Sequence, residues 1–599
     1  MTPFEKAIFI LKTQGIRALA RRGFAKMIAQ VRAASDRRQL RGGWKKSVRL
    51  AAQKRSLIFP PSPPSPQVSI IIPMHGNDVF TYNCLRSILE HWDSEISVET
   101  IIVDDASPAA TQTWLQSIQG VRCVRNAERV GFVESCNRGA DLASGDLLLF
   151  LNNDTIVQAG WLAALVQRKH SDPKIAAVGS RLLYPDGTIA EAGAIIWRDG
   201  SGWNYGRGCD RDDPAYNYFR EVDYCSAASL LVDRKQFLDF GRFDERYSPG
   251  YYEDADFSFT LRSHGFKTVF EPKSVVVHFE GVTGGIDERG GAKKFQALNR
   301  SLFERKWARE LEGHCAPDPA QARLAARRLS GQPKVAFIDA FIPFEDRDAG
   351  SLRLSRVLAL AREVGCDVTF YPHDGVAHEP YAGKLRDRGI EILCGTRRKS
   401  ARSLLVERMP IFDLAWICRP ELAATYTPLI RSHGTARVYY DTVDLHFIRL
   451  EREEQIAGKK TGWQHMRQLE IGLAKAADGT IVSSPVEKDV LEREGVSNIH
   501  VIPPMCSPVQ RRVPREQRAG ILFLGNYVHS PNVDAAIFLA KEVFPLIARE
   551  IANVQLTLIG NEPPPSVRAL QTDKIHVVGY VEQIEPFLER ARVFIAPMR

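Results

Sequence analysis

The stretch Gly145-Asp-Leu-Leu-Leu-Phe-Leu-Asn-Asn-Asp-Thr155 decides how the first half of the chain is interpreted. Leu147 to Leu151 form a continuous apolar run, which is typical of a strand buried on both faces of a sheet. The run ends abruptly at Asn152, Asn153 and Asp154. Ligands of open α/β sheets bind outside the carboxyl ends of the strands, where a carboxylate can hold a hard cation and its phosphate partners. A plain turn has the same composition, so the neighbouring elements have to decide between the two interpretations.

The segments around this strand predict further βαβ units of a parallel sheet. The predicted strands are Val68–Ile72, Glu99–Val103 and Val121–Val124, and predicted helices cover Leu85 to Leu89 and residues 131–143. Because parallel strands end at the same edge of a sheet, Asp105 and Asp154 are expected to face one cleft. An isolated acidic turn does not explain two carboxylates placed in this way.

Two more polar groups follow farther along the chain. Glu253, Asp254 and Asp256 lie at the start of a predicted helix, where they either cap it or take part in chemistry. His278 lies on a predicted strand, Ser274–Phe279, and a lone strand histidine is more often structural than a ligand.

An aromatic segment precedes the acidic group. It contains Trp197, Trp203, Tyr205 and residues 216–219 among Gly and Asp residues. These rings either pack against the sugar of an acceptor or form a satellite core, and the sequence leaves both readings open.

The composition is that of a soluble protein of several domains. The chain has 599 residues, of which 44% are hydrophobic and 25% are charged. Its ten cysteines are scattered without a CxxC pair or a secretory signal, which favours a reducing cytoplasm. No run approaches 18 apolar residues, so no membrane-spanning helix is expected.

The net charge of +9 comes from the N-terminal segment. Residues 1–55 hold 15 Lys and Arg against only Glu5 and Asp36. Their spacing predicts a basic amphipathic helix, which either contacts the inner face of the cytoplasmic membrane or docks on the next domain. Nucleic-acid binding is not expected, because no reader motif accompanies the charge. Pro60 to Pro66 reads as a stiff linker.

The ordered set of motifs over about residues 67 to 310 resembles glycosyltransferase family 2, which has the GT-A fold. The residues that carry the resemblance are Val68–Pro73, Val103–Ser107, Leu151–Thr155, Glu253-Asp254 and His278. Each motif is weak alone, whereas five in the right order and spacing are specific.

This resemblance implies a nucleotide-sugar donor, a divalent cation (Mn²⁺ or Mg²⁺) and a saccharide or lipid-linked acceptor. It implies donor binding by Pro73, Asp104, Asp105, Asn152, Asn153 and Asp154. Asp154 and His278 would contact the metal, Asp254 would be the general base, and Glu253 would shape the acceptor pocket. The chain departs from the full DxD motif, because Asn152 replaces the first carboxylate.

The expected reaction is an inverting sugar transfer in the synthesis of a bacterial surface polysaccharide. The motif from Asn152 to Thr155 resembles that of relatives that use deoxysugar donors such as dTDP-rhamnose. The alternatives are a sugar nucleotidyltransferase, which would need a Gly-rich Lys/Arg loop near the first strand, and a non-catalytic scaffold of degenerate transferase folds. A dehydrogenase is not expected, because no GxGxxG follows the first strand of either half.

The second half shows another α/β pattern and resembles a GT-B glycosyltransferase of family 4. The residues that carry this resemblance are Asp346–Ser351, Tyr440–His446, Phe523–Asn526, Ser530–Asn532 and Val593–Met598. Gly350, Asn526 and His529 are the candidate cleft residues of this module, although a plain turn or an ordinary loop histidine explains two of them equally well.

The predicted domains are 1–66, 67–312, a linker at 313–333, a first GT-B lobe at 334–515 and a second lobe at 516–599. The sequence ends before the Glu-containing motif that grips the donor in that family. We therefore expect the second lobe to be truncated and this half to have no retaining transferase activity.

Overall fold

The computed structural model describes residues 56–280, 294–327, 333–458, 460–505, 512–528 and 530–597. The predicted N-terminal helix and His529 lie outside these ranges. The strands are β1 Val68–Met74, β2 Val98–Asp104, β3 Arg122–Arg125, β4 Leu147–Leu151, β5 Thr155–Val157, β6 Ile175–Leu183, β7 Ile189–Glu191, β8 Ala194–Ile196, β9 Gly202–Asn204, β10 Arg220–Glu221, β11 Ser229–Asp233, β12 Lys267–His278, β13 Lys334–Asp339, β14 Asp367–Pro372, β15 Glu391–Ile392, β16 Leu414–Cys418, β17 Arg437–Asp441, β18 Gly479–Val482, β19 Ile499–Val501, β20 Ala519–Leu524, β21 Leu556–Ile559, β22 Ile575–Gly579 and β23 Ala591–Phe594.

The helices connect these strands in an α/β order. They are α1 Asp78–Glu90, α2 Ala109–Leu115, α3 Phe132–Leu142, α4 Trp161–His170, α5 Arg234–Asp239, α6 Glu253–Ser263, α7 Lys294–Lys306, α8 Ala308–Leu311, α9 Ala322–Ala325, α10 Ala349–Glu363, α11 Tyr381–Asp387, α12 Ala401–Arg408, α13 Pro420–His433, α14 His446–Ala457, α15 Trp463–Ala476, α16 Pro485–Arg493, α17 Ser530–Phe538, α18 Phe544–Glu550, α19 Pro565–Arg568 and α20 Glu585–Arg590.

The described residues fall into two compact units. The first comprises those up to Phe341 with Ala361–Ile417 and Ala424–Val438. The second comprises Ile342–Leu360, Cys418–Ala423 and Tyr439–Arg599.

The main sheet of the first unit has the strand order β10-β12-β6-β11-β4-β1-β2-β3. Strands β4, β1, β2 and β3 pair in parallel, whereas β11 runs antiparallel between β4 and β6. The parallel part ends its strands at one edge, which brings the residues after β1, β2 and β4 together.

Both faces of this sheet are buried, which explains the continuous apolar runs. Ile70 and Leu149 belong to one core cluster, whereas Ile71, Leu148 and Phe150 belong to another. Successive strand residues point to opposite faces, so each strand contributes to both clusters. The predicted strand Leu147–Leu151 is confirmed in its bounds.

The region from Ile175 to Asp233 contains strands that the pattern of the sequence does not predict. The sequence appears irregular there, but the chain forms strands β6 to β11, which complete the sheet or form a small hairpin. These strands are short or rich in Ala and Gly, so local β propensity is weak and tertiary pairing determines their conformation.

A second sheet in the first unit has the parallel order β15-β14-β13-β16. Buried ion pairs lie beside this sheet. The guanidinium of Arg408 lies 2.9 Å from Glu391 and 3.5 Å from Asp213, and Arg327 lies 2.9 Å from Asp367. The contact between Arg408 and Asp213 joins residues of the two predicted transferase modules within one unit.

The second unit contains the parallel pairings of β17 with β18 and of β18 with β19. It also contains a sheet in the order β22-β21-β20-β23, in which all pairs are parallel. The sheets of the two units confirm the predicted mixed α/β fold.

Candidate active site

A cleft of about 1410 Å³ opens at the carboxyl edge of the main sheet. It lies at the ends of β1, β4 and β12 and at the first residues of α6. The structure brings eight of the predicted residues together on its walls: Pro73, Asp105, Asn152, Asn153, Asp154, Glu253, Asp254 and His278.

Asp105 organises one wall of the cleft. Its Oδ1 accepts hydrogen bonds from Val130 N at 2.8 Å and Asn126 Nδ2 at 2.9 Å, and its Oδ2 accepts one from Gly131 N at 2.9 Å. Asp105 therefore fixes the loop that enters α3 as well as facing the cleft.

Asp104 is not among the residues that line this cleft. It is the last residue of β2, and its carboxylate pairs with Arg125 and accepts a hydrogen bond from Ser107 N at 2.9 Å. Its position gives it a role in holding the turn after β2.

Asp154 and His278 lie side by side because β5 and β12 pair in this region, with Thr155 opposite His278. Asp154 Oδ1 is 3.3 Å from His278 Nε2. Burial by itself lowers the pKa of His278, but the hydrogen bond and charge of Asp154 outweigh it, so the pKa is raised above its ordinary value.

This pair fits a divalent cation. Neighbouring ligands about 2.1 Å from one ion lie about 3 Å apart, which is close to the observed separation. In the described part of the chain, no group of three or more His, Cys, Asp or Glu could hold a metal. A cation here would therefore take two protein ligands and complete its shell with phosphate oxygens and water, as Mg²⁺ commonly does.

The two asparagines of the motif have different surroundings. Asn153 is buried and donates from Nδ2 to Thr81 Oγ1 at 2.9 Å, so it supports the loop. Asn152 donates its backbone N–H to Ala228 O at 3.1 Å, and its buried Oδ1 has no hydrogen-bond partner among the described residues.

Asp254 and Glu253 begin helix α6 after two residues with positive φ, Tyr251 and Tyr252. This sharp entry turns the carboxylates toward the cleft. Asp254 accepts hydrogen bonds from Ala255 N at 2.8 Å and Ala227 N at 3.2 Å. Burial nevertheless raises the pKa of Asp254 to about 6, which suits a general base working near neutral pH.

Glu253 is buried more deeply than its neighbour. Burial and the adjacent charge of Asp254 raise its pKa well above the ordinary value. Its Oε2 has no hydrogen-bond partner in the described ranges.

Sequence reasoning missed Glu191 and the segment Ser226 to Ala228. Ser226 N donates to Glu191 Oε1 at 2.9 Å, and the next amide, Ala227 N, donates to Asp254. Ala228 O accepts a hydrogen bond from the backbone N–H of Asn152. This short segment therefore contacts three residues of the cleft: Glu191, Asp254 and Asn152. The sequence signal for Glu191 was an acidic residue at the end of a short apolar segment, Ile189–Glu191.

The rings of the aromatic segment divide between the two alternatives, packing in the core and contact with a ligand. Trp197, Tyr205 and Tyr216 are buried in the core. Trp203 is 37% exposed, lines the cleft and packs edge-on against Trp197 at 5.0 Å between ring centroids. Trp203 is thus the ring of this set that lines the cleft.

The candidate residues of the second half belong to the second unit. Gly350 lies in the first turn of α10, and a Cβ there would be 3.4 Å from Asp348 Oδ1. Asn526 accepts a hydrogen bond from Val528 N on its side chain and one from Asn532 Nδ2 on its backbone oxygen. Both asparagine contacts are local, and a ligand role for Gly350, Asn526 or His529 stays a prediction.

Two family profiles match the chain. Residues 69–225 match Glycosyl transferase family 2, and residues 518–599 match Glycosyl transferases group 1. Regions of both families are therefore present in this chain. The first match ends before Asp254 and His278, so the roles of those two residues rest on the cleft itself.

Curated relatives share parts of the sequence. The O-antigen biosynthesis protein RfbC of Myxococcus xanthus is 26% identical over 236 residues, or 37% of this chain. The human polypeptide N-acetylgalactosaminyltransferase 14 is 38% identical over 109 residues, or 18% of this chain. The uncharacterized protein y4gI of Sinorhizobium fredii is 27% identical over 277 residues, or 43% of this chain. The chain spans 18%, 20% and 29% of the lengths of these three proteins, respectively.

Among solved structures, GalNAc-T7 with UDP, GalNAc and Mn²⁺ superposes with a TM-score of 0.34 and 17% identity. The match covers 41% of this chain and 50% of that one.

Proposed function

We propose that residues 67–312 form an inverting glycosyltransferase that moves a sugar from a nucleotide-diphosphate donor to an acceptor hydroxyl. The observation that carries the proposal is a single cleft that gathers Asp105, Asp154, His278 and Asp254. The match of residues 69–225 to Glycosyl transferase family 2 supports it.

Asp254 has the position and the proton affinity for the general base. With a pKa of about 6, it is mostly ionised at neutral pH yet still basic enough to take a proton. It removes the proton of the acceptor hydroxyl, the oxygen forms a bond to the anomeric carbon, and the bond to the diphosphate oxygen breaks. One displacement of this kind inverts the anomeric centre.

Donor binding is assigned to the residues at the ends of β1, β2, β4 and β12. Pro73 and Asp105 would contact the nucleotide, and Asp154 and His278 would hold a divalent cation, Mn²⁺ or Mg²⁺. When bound, such a cation offsets the negative charge that develops on the leaving diphosphate. Asn152 Oδ1 remains available for a further hydrogen bond to the donor.

The acceptor is a saccharide or a lipid-linked saccharide in the synthesis of a surface polysaccharide. Two observations support this choice: the exposed ring of Trp203 on the cleft wall, and the similarity to an O-antigen biosynthesis protein. Residues 1–55 are proposed to contact the cytoplasmic face of a membrane through their basic charge. Described residues contain no helix that is long and apolar enough to cross a bilayer.

A two-step experiment tests the proposal on the full chain. Thermal shift with Mn²⁺ across UDP-, GDP- and dTDP-sugars identifies the donor, and release of nucleoside diphosphate with saccharide acceptors then measures transfer. We expect one donor class to stabilise the protein and to be consumed only with an acceptor. Formation of pyrophosphate from a sugar-1-phosphate and a nucleoside triphosphate would instead show a nucleotidyltransferase. The exposed Asp239→Asn change is a matched control, because Asp239 pairs with Lys235 on the surface of α5 and does not line the cleft.

A further inference from the structure

Glu191 is a buried acid on the cleft wall that the mechanism above does not use. It ends the short strand β7 and is 1% exposed. Its Oε1 accepts the hydrogen bond from Ser226 N, which fixes the carboxyl group. Its Oε2 is buried and has no hydrogen-bond partner among the residues that the structure describes. A buried polar oxygen without a partner is costly unless a ligand satisfies it.

The surroundings of Glu191 indicate which ligand that is. The amides of Ser226 and Ala227 are consecutive, and they hold Glu191 and Asp254, respectively. The charges of both Asp254 and His278 also act on Glu191. Glu191 lines the same cleft as the candidate base Asp254 and the candidate metal ligand His278. In a displacement reaction the transferred sugar lies between the base and the leaving diphosphate, and therefore within this cleft.

We infer that Glu191 Oε2 makes a hydrogen bond to a hydroxyl group of the transferred sugar and thereby selects donors that carry that hydroxyl. This inference rests on the proposed function and deepens it. It makes Glu191 a specificity-determining residue, distinct from the base Asp254.

The protonation state of Glu191 sets the direction of the bond. Burial raises its pKa to about 8, so near pH 7 the group is largely a neutral carboxylic acid. The hydrogen bond from Ser226 N and the charge of His278 act against this rise, and the charges of Asp254 and Glu280 add to it. Tyr224 and Cys225 are further titratable neighbours. A neutral Glu191 donates from Oε2 to the sugar oxygen.

Two substitutions separate this role from a structural one. Glu191→Gln keeps an acceptor for Ser226 N and places a permanent N–H donor at the position of Oε2. Glu191→Ala removes both. At pH 7 we expect kcat/KM for the donor to stay within about fivefold of wild type in the Gln variant and to fall about 10- to 100-fold in the Ala variant.

Donor analogues that each lack one hydroxyl identify the partner group. For the wild type, one analogue should lose about 100-fold in kcat/KM, because a site built to bind a hydroxyl rejects the analogue without it. In Glu191→Ala that same loss should shrink to about twofold, as expected for two groups that act on each other.

The matched control is Glu99→Gln. Glu99 is another buried glutamate, but it lies near the start of β2, away from Asp105, and it accepts hydrogen bonds from Ser69 and Ser144. Its variant should change the thermal midpoint and leave the analogue pattern as in wild type.

Equal loss in Glu191→Gln and Glu191→Ala, or an unchanged analogue pattern in Glu191→Ala, overturns the inference while the wild type still transfers sugar. A wild type that neither binds nor transfers any nucleotide sugar overturns the proposed function itself, and the inference with it.

Discussion

Replacing Asp254 with Asn is the sharpest perturbation of the proposed chemistry. The change keeps the size of the side chain and an oxygen that accepts a backbone hydrogen bond, and it removes the group that takes the proton. Because the proposed donor site depends on other residues, Asp154 and His278, nucleotide-sugar binding should survive.

The raised pKa of Asp254 determines how kcat/KM should depend on pH. With a pKa of about 6, the carboxylate is about nine-tenths ionised at pH 7 and about one-tenth ionised at pH 5. The base is active when ionised, so kcat/KM of the wild type should rise with pH through about 6 and fall about tenfold per unit below it. Loss of a general base typically lowers the rate by about 10²- to 10⁴-fold.

The assay is nucleoside diphosphate release between pH 4.5 and pH 8 by wild type, Asp254→Asn and the control Asp239→Asn. Mn²⁺ is kept saturating at every pH, because the raised pKa of His278 would otherwise add an acid limb of its own through loss of metal binding. The control should follow wild type at every pH. The Asn variant should be slow at every pH and should lose the acid limb, while its thermal shift with the donor stays close to wild type. An Asn variant with more than a tenth of the wild-type rate, or one that retains the acid limb, refutes the assignment of the base.

Two further changes test the metal pair and a buried ion pair. Asp154→Asn should raise the Mn²⁺ concentration for half-maximal activity at least about tenfold, because it removes one of two protein ligands; full wild-type turnover in excess EDTA contradicts this assignment. Arg408→Met should lower the free energy of unfolding of the first unit by about 3 kcal/mol in urea titration. The buried carboxylate of Glu391 loses its ion pair with Arg408 and keeps the longer one with Arg327. An unchanged urea midpoint would show that the buried pair contributes no net stability.

The parallel part of the fold could be predicted from the sequence with high fidelity, because strands buried on both faces are continuous apolar runs. Leu147–Leu151 has its predicted bounds, and β1 and β2 extend the predicted strands Val68–Ile72 and Glu99–Val103 by two residues each. The antiparallel strands from Ile175 to Asp233 could not be predicted in this way. Gly179, for example, lies so close to Cys225 that a Cβ would be 2.1 Å from it, and only the three-dimensional packing explains that glycine.

The sequence predicts the site residues that follow the ends of strands. It does not predict in which direction a side chain points. Asp105 and Asp154 follow from the ends of β2 and β4. The pattern alone could not show that Asp104 turns away to Arg125. It also could not show that Glu191 faces the cleft, because that orientation depends on the contact with Ser226 N.

The anomeric configuration of the product tests the central claim most directly. The 599-residue chain is incubated with the donor selected by thermal shift, Mn²⁺ and a saccharide acceptor, and the anomeric configuration of the glycoside product is read by proton NMR. The account predicts a glycoside of inverted configuration, formed together with one equivalent of nucleoside diphosphate and absent with Asp254→Asn. A product of retained configuration, or sugar transfer that persists in Asp254→Asn, would contradict it.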